Sequence, residues 1–145
     1  MSQELLSTQD IPLVSIDFMN NTHQQEAEIV NALARNITAR QSGATDDAEI
    51  TRLLDEWLQH TIAHFERENE LMQQTGFPAY PVHAEEHEIA LNRMQAVVDA
   101  WHQNQDIELL TDYVFTLWPA WFKGHVNSMD MITAQFALQN GYSPD

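Results

Sequence analysis

The chain has 145 residues, seven of them histidine and none cysteine. His64 and Glu68 stand four residues apart, as do His83 and His87. At about 100° per residue, such pairs lie about 40° apart on one helix face. His23 lies upstream, and His125 precedes Asp130 by five residues. That last spacing turns roughly 140° around a regular helix, so Asp130 must reach around or the helix must distort. Neutral imidazole and carboxylate suit divalent first-row metals. The absence of cysteine excludes disulfides, thiolate metal sites, Fe–S clusters and a Cys nucleophile.

Taken singly, each residue has a plain structural explanation. A histidine on an apolar face is commonly a satisfied core residue, and a lone His-x-x-x-His arises easily among so many histidines. His64–Glu68 alone is a helix pair worth about 0.2–0.5 kcal/mol. Glu85, Glu86 and Glu88 read as a solvated face. His60 and His102 fall off the apolar stripes and read as surface residues. The set together weighs differently. Burying this many imidazoles and two carboxylates without partners costs on the order of several kcal/mol. A metal cluster removes that cost. Seven protein ligands exceed what one transition-metal ion takes, so two metals bridged by carboxylates is the natural count.

Four helical stretches must position these groups. The first is expected from about Asn20 to Arg40, with His23, Ala27, Val30, Ala34 and Ile37 on one face. Asn20 suits an N-cap, Glu26 and Glu28 suit the first turn, and Ser42-Gly43 ends the helix. The second runs from about Asp46 to Gln74 through Ile50, Leu53, Trp57, Thr61, His64, Glu68 and Leu71, and Gly76 and Pro78 stop it. The third begins near Pro81 and carries His83, His87, Ala90, Met94, Val97 and Trp101. The fourth starts near Asp106 and passes Asp130, with a stripe of Leu110, Val114, Leu117, Trp121 and His125. Pro119 inside it predicts a kink or a restart. Short loops make an all-α, up-down-up-down four-helix bundle the expected fold. Residues 20–140 form the bundle domain and residues 1–19 an N-terminal arm. Leu5, Leu6, Ile11, Leu13, Val14, Ile16 and Phe18 are too apolar for a free tail, so the arm is expected to pack on the body. Asn140 to Asp145 read as a helix stop and a free end.

Only 4 glycines and 5 prolines interrupt the chain, which favours long helices. Net charge is −16, so phosphate backbones and anionic membranes would repel the surface, and neither is an expected partner. No apolar run approaches the ~20 residues of a membrane span. The first ten residues lack the basic and apolar regions of a signal peptide. A cytoplasmic monomer is expected.

The motifs resemble those of the hemerythrins, specifically the short bacterial ones. They are His64-Phe65-Glu66-Arg67-Glu68, His83-Ala84-Glu85-Glu86-His87, and Trp121-Phe122-Lys123-Gly124-His125 with Asp130. Gly76-Phe77-Pro78 is similar to the family's loop before the third helix, and the i, i+5 spacing is the family's own. The resemblance implies two iron ions. His83, His87 and His125 would bind one, and His23 and His64 the other. Glu68 and Asp130 would bridge them together with an oxo or hydroxo group. The two-histidine iron would then keep an open position for dioxygen, and Phe122 and Trp121 are candidates for lining that pocket. Three positions depart from the family's pattern: Asn20 in place of Asp, Asn69 in place of a second Glu, and Phe122 in place of Leu. Asn20 reads either as a helix cap or as a change in the surroundings of His23. The larger ring of Phe122 would narrow the pocket.

Reversible dioxygen binding for storage, transport or delivery is the function implied. A peroxidase, or an enzyme removing nitric oxide or reactive oxygen species, is the alternative, with Tyr80, Tyr113 or Tyr142 as electron donors if close to the site. Iron storage or donation is a third reading, although relatives of that kind use more carboxylates. A metal-free partner-binding bundle has to treat the whole ligand set as coincidence.

Overall fold

The computed structural model describes residues 5–7 and 10–142, which form four helical rods and, among the described residues, no strand. The first three are α1 (Asp17–Gln41), α2 (Asp47–Thr75) and α3 (Tyr80–Asn104). The fourth rod, here α4, is continuous but not uniform. Ile107–Asp112 is α-helical, Tyr113–Leu117 is a π turn, Trp118–His125 is α-helical, Val126–Asp130 is a second π turn, and Met131–Gln139 is α-helical. Short connections make successive rods antiparallel. α1 packs on α2, α2 on α3, and α4 closes against the other three. The all-α, up-down-up-down bundle read from the sequence is the fold observed.

The helix limits have local causes. Asp46 accepts the Glu49 N–H at 3.2 Å and so caps α2, which ends at Gly76 in the left-handed region at φ 70°. Pro81 sits in the first turn of α3, where its missing N–H costs nothing. Asp106 caps α4 through the Leu109 N–H at 3.1 Å. The first helix differs from expectation. It starts at Asp17, with Ile16 as its cap residue, so Asn20 is not an N-cap. Asn20 instead accepts from Val14 N and donates to Val14 O, both at 2.9 Å. Asn31 grips Leu6 the same way, at 2.8 and 2.7 Å. These two amide clasps satisfy arm backbone that no strand partner serves. They seat Leu6, Ile11, Val14 and Ile16 in the core, while Leu13 is exposed. Of the expected features at the chain ends, residues 1–4, 8, 9 and 143–145 lie outside the described residues.

The stripes of α1, α2 and α3 are buried as their spacing predicts. That of α4 is not. Leu117 is 52 % exposed and Trp121 is half-buried, whereas Trp118 and Phe122 are buried. The first π turn is the reason. Trp118 N–H bonds Tyr113 O, five residues back rather than four, which admits one extra residue and rotates the following face by one position. The same turn takes up the defect expected from Pro119, so the rod neither breaks nor restarts there. No helix among the described residues is long and apolar enough to cross a membrane.

Gln105, between α3 and α4, sits at φ 50°, the only non-glycine residue at positive φ among the described residues. A side chain there costs about 1 kcal/mol relative to glycine. Gln105→Gly should therefore raise the unfolding free energy measured by urea titration by roughly that amount, and an unchanged or lower midpoint would count against the strain.

Candidate metal centre

Each rod delivers its share of the candidate ligands to one layer of the core. His23 comes from α1, His64 and Glu68 from α2, His83 and His87 from α3, and His125 and Asp130 from α4. All seven are buried, with Glu68 1 % and Asp130 0 % exposed. The second π turn brings the awkward pair together: Met131 N–H reaches Val126 O, five residues back, so the helix distorts and Asp130 faces inward. His125 Nε2 and Asp130 Oδ1 then lie 3.1 Å apart. Ser128 Oγ donates to Gly124 O at 2.7 Å, serving a carbonyl beside the widened turn.

The two carboxylates divide their oxygens. Glu68 Oε2 faces His64 Nε2 at 2.7 Å and His23 Nε2 at 3.7 Å, while Oε1 faces His87 at 3.2 Å and His83 at 3.7 Å. Asp130 Oδ2 faces His23 at 3.0 Å, and Oδ1 faces His83 and His125, each at 3.1 Å. Two donor sets result, one of Glu68, His83, His87, His125 and Asp130 and the other of His23, His64, Glu68 and Asp130. Within each set the donor atoms lie within 4.8 Å of one another.

The chemistry of this cluster calls for cations. His125 Nε2 lies 3.2 Å from His83 Nε2 and 3.3 Å from His87 Nε2, three nitrogens converging where at most one ring proton can serve each contact. Donors on adjacent corners around an ion at ~2.1 Å stand roughly 3 Å apart, so the spacing fits. His23 Nε2, Glu68 Oε1 and both Asp130 oxygens are buried and make no hydrogen bond despite their close imidazole neighbours, because the alignment is wrong for one. Orphaned polar atoms at this depth are costly unless ligated.

The outer nitrogens hold four of the rings. Nδ1 of His64 meets Glu26 Oε1 at 3.2 Å, that of His83 meets Thr133 Oγ1 at 2.8 Å, that of His87 meets Asn69 Oδ1 at 2.9 Å, and that of His125 meets Glu86 Oε1 at 2.7 Å. Such partners set the tautomer and aim Nε2 inward. Asn69 thus serves as the acceptor for His87, and Asn20, tied to the arm, leaves His23 Nδ1 without a hydrogen bond. Glu86 belongs to the site rather than to a solvated face, and His60 is tied to Glu26 rather than free on the surface. His102 is exposed and pairs with Asp55, as a surface residue would. Glu26 and Thr133 had no motif to mark them. Glu26 did carry a signal, since it stands three residues after His23 and four before Val30, on the buried stripe.

Aromatic rings wall the cluster. Phe122 packs edge-on against His23, with centroids 5.7 Å apart, and stacks on Trp118 at 4.5 Å. Trp121 lies on the other side, stacked on His125 at 4.6 Å, and Phe65 stacks on His87 at 4.1 Å.

Burial works against charge on His23, His64, His87 and His125. Glu68 and Glu26 override it at His64, whose pKa stands well above its usual value, and Asp130 and Glu86 override it at His125, which is raised to about 9. At His87 burial wins, and the pKa falls. Burial would raise Asp130, yet His125, His23 and His83 hold it well below the usual carboxylate range.

A raised histidine pKa means a protonated ring at neutral pH in the metal-free chain, and metal binding requires that proton to leave. Loading the metal-free protein with Zn²⁺ at pH 7.5 should therefore release protons from His125, His64 and His23, whose pKa values are all raised. The release should decline as pH passes about 9, the value for His125. Calorimetric titrations in buffers of different ionisation enthalpy count them, and loading without proton release would refute the charge states.

Residues 14–137 match the family described as "Hemerythrin HHE cation binding domain". A bacteriohemerythrin of Aquifex aeolicus (strain VF5) is 31% identical over 118 residues, covering 81% of this chain and 86% of that protein. One from Stenotrophomonas maltophilia (strain R551-3) is 28% identical over 130 residues, covering 90% and 80% respectively. A third, from Ralstonia nicotianae (strain ATCC BAA-1114 / GMI1000), is 32% identical over 95 residues, covering 66% and 68%. No solved structure gives a significant match.

Proposed function

The chain belongs to the hemerythrin family, and we propose that it holds two iron ions and binds dioxygen reversibly, as a store, carrier or deliverer. His83, His87 and His125 would hold one ion, His23 and His64 the other, and Glu68 and Asp130 both. The observation that carries this reading is the unequal pair of donor sets, five groups against four, joined by two shared carboxylates. The set with fewer protein donors is the one with room for a small ligand. Two ferrous ions held by these residues would supply two electrons to dioxygen and regain them on its release.

The protein's contribution is to position and to exclude. The backing acceptors on four rings keep the inward nitrogens aimed without rearrangement. Phe122 closes the side of His23 with an apolar ring, which keeps water and acidic protons from that corner. Trp121 backs His125 on the three-histidine side and steadies that ring.

One observation favours a reductive enzyme as the second reading. An aromatic chain leads inward from Tyr113 through Trp57 (5.7 Å), Trp118 (5.3 Å) and Phe122 (4.5 Å) to His23 (5.7 Å). Such a chain suits delivery of electrons to a site that reduces peroxide or nitric oxide. Tyr80 accepts from Gln73, and Tyr142 packs on Phe18.

Carriage predicts two irons per chain and a visible charge-transfer band that appears in air and disappears under vacuum over repeated cycles. Irreversible oxidation with sustained peroxide turnover would select the enzyme instead. Glu68→Ala should weaken both irons by about tenfold or more, because one carboxylate serves both. Two irons retained at normal affinity, by metal analysis after dialysis, would refute the shared role. Phe122→Leu should change the dioxygen off-rate or autoxidation rate severalfold at a stability cost of about 1 kcal/mol. If stopped-flow shows neither rate moving, Phe122 does not wall the pocket.

A further inference from the structure

Glu26 is not one of the seven donors, yet it is buried as deeply as they are, at 1 % exposed. Thr61 Oγ1 shares its one proton between Glu26 Oε2 at 3.0 Å and Trp57 O at 2.9 Å, and His60 and His64 present Nδ1 to Glu26 Oε1 at 3.1 and 3.2 Å. Its ion-pair partners among the described residues are imidazoles, with no lysine or arginine. His60, 20% exposed at its side chain, covers it from solvent and reaches toward Gln25 at 3.4 Å. The five rings of the cluster are therefore backed unequally. Thr133 and Asn69 offer neutral oxygens to His83 and His87. Glu86 offers His125 a carboxylate that is 31% exposed and so screened by water. His23 has no acceptor at Nδ1. Only His64 is backed by a carboxylate removed from water.

We propose that Glu26 is a positioning and charge-tuning residue for the metal held by His23 and His64. It keeps His64 Nε2 turned inward. As an anion in a medium of low effective dielectric, it also makes that imidazole a stronger donor and biases this ion toward the ferric state. The proposal rests on the two-iron reading above and adds to it an electronic difference between the two ions that the donor count alone does not create.

Two variants separate position from charge. Glu26→Gln keeps an acceptor for His64 Nδ1 and removes the charge. It should leave Zn²⁺ affinity within about threefold of the parent while shifting the ferric/ferrous equilibrium of one iron about tenfold toward ferrous, 59 mV for one electron. Glu26→Ala removes both and should weaken one of the two Zn²⁺ equivalents by roughly 10–100-fold in chelator competition. Thr61→Ala strips a donor from the carboxylate but leaves its charge, and should move the midpoint the opposite way, by less. This reversal of sign is not expected from general loosening, and it decides the question if either Glu26 variant fails to fold. Spectroelectrochemistry of the iron-loaded proteins reads the midpoints. Unchanged midpoints in the folded variants overturn the proposal while leaving the two-iron reading intact. A parent protein that takes up no iron overturns both.

Discussion

Two carboxylates lie at the centre of the bundle, and each turns one oxygen toward one set of imidazoles and the other oxygen toward the second. Much of the fold follows from this sharing. An anion with no access to water must be neutralised on every side it faces. Glu68 and Asp130 face the same two sets, so positive charge must approach from both sides of the pair. Four rods converging on one layer arrange that here, each contributing one or two groups. The rods in turn need bulk above and below the layer to hold their heights. Trp57, Trp101, Leu33, Ile37 and Leu54, all fully buried, supply it on one side, and Met72 and Ala137, equally buried, on the other.

The neutralising charge has two sources. Before metal arrives, protons on His64 and His125 supply part of it, which is why these rings hold protons so strongly despite burial. Once metal arrives, the same nitrogens exchange a proton for an ion. The core is thus electrostatically prepared for cations in a chain whose net charge is −16. The acidic surface and the cation-seeking interior agree in sign, and dissolved metal ions are drawn rather than repelled on approach.

How much of this was legible in the sequence depends on how far each interaction reaches. The helices, the bundle and the approach of the seven donors were all readable, because they follow from spacings of three and four residues along a single rod. Even the trouble at His125 and Asp130 was visible as a five-residue interval that a regular helix cannot serve. What escaped was register after an irregularity and pairing across rods. Leu117 and Trp121 were placed on the core face because a regular helix was assumed through Pro119. Asn20 has the composition of a cap, and only the arm folding back on α1 shows that its amide holds Val14 instead. Glu26, Glu86 and Thr133 find their partners on other rods, at separations of 38, 39 and 50 residues, where local periodicity carries no information.

The two π turns divide α4 into three lengths that share an axis but keep independent angular phase. The first sets the phase of Trp118 and Phe122, which wall the two-histidine side. The second resets it for Asp130 and, beyond it, Thr133. A straight helix would couple these orientations rigidly, so that any turn of the wall would drag the shared carboxylate with it. Here the second wide turn gives the carboxylate a phase separate from that of the length carrying Phe122 and His125. The ring at position 122 can therefore differ in size while the carboxylate shared by the two donor sets keeps its place.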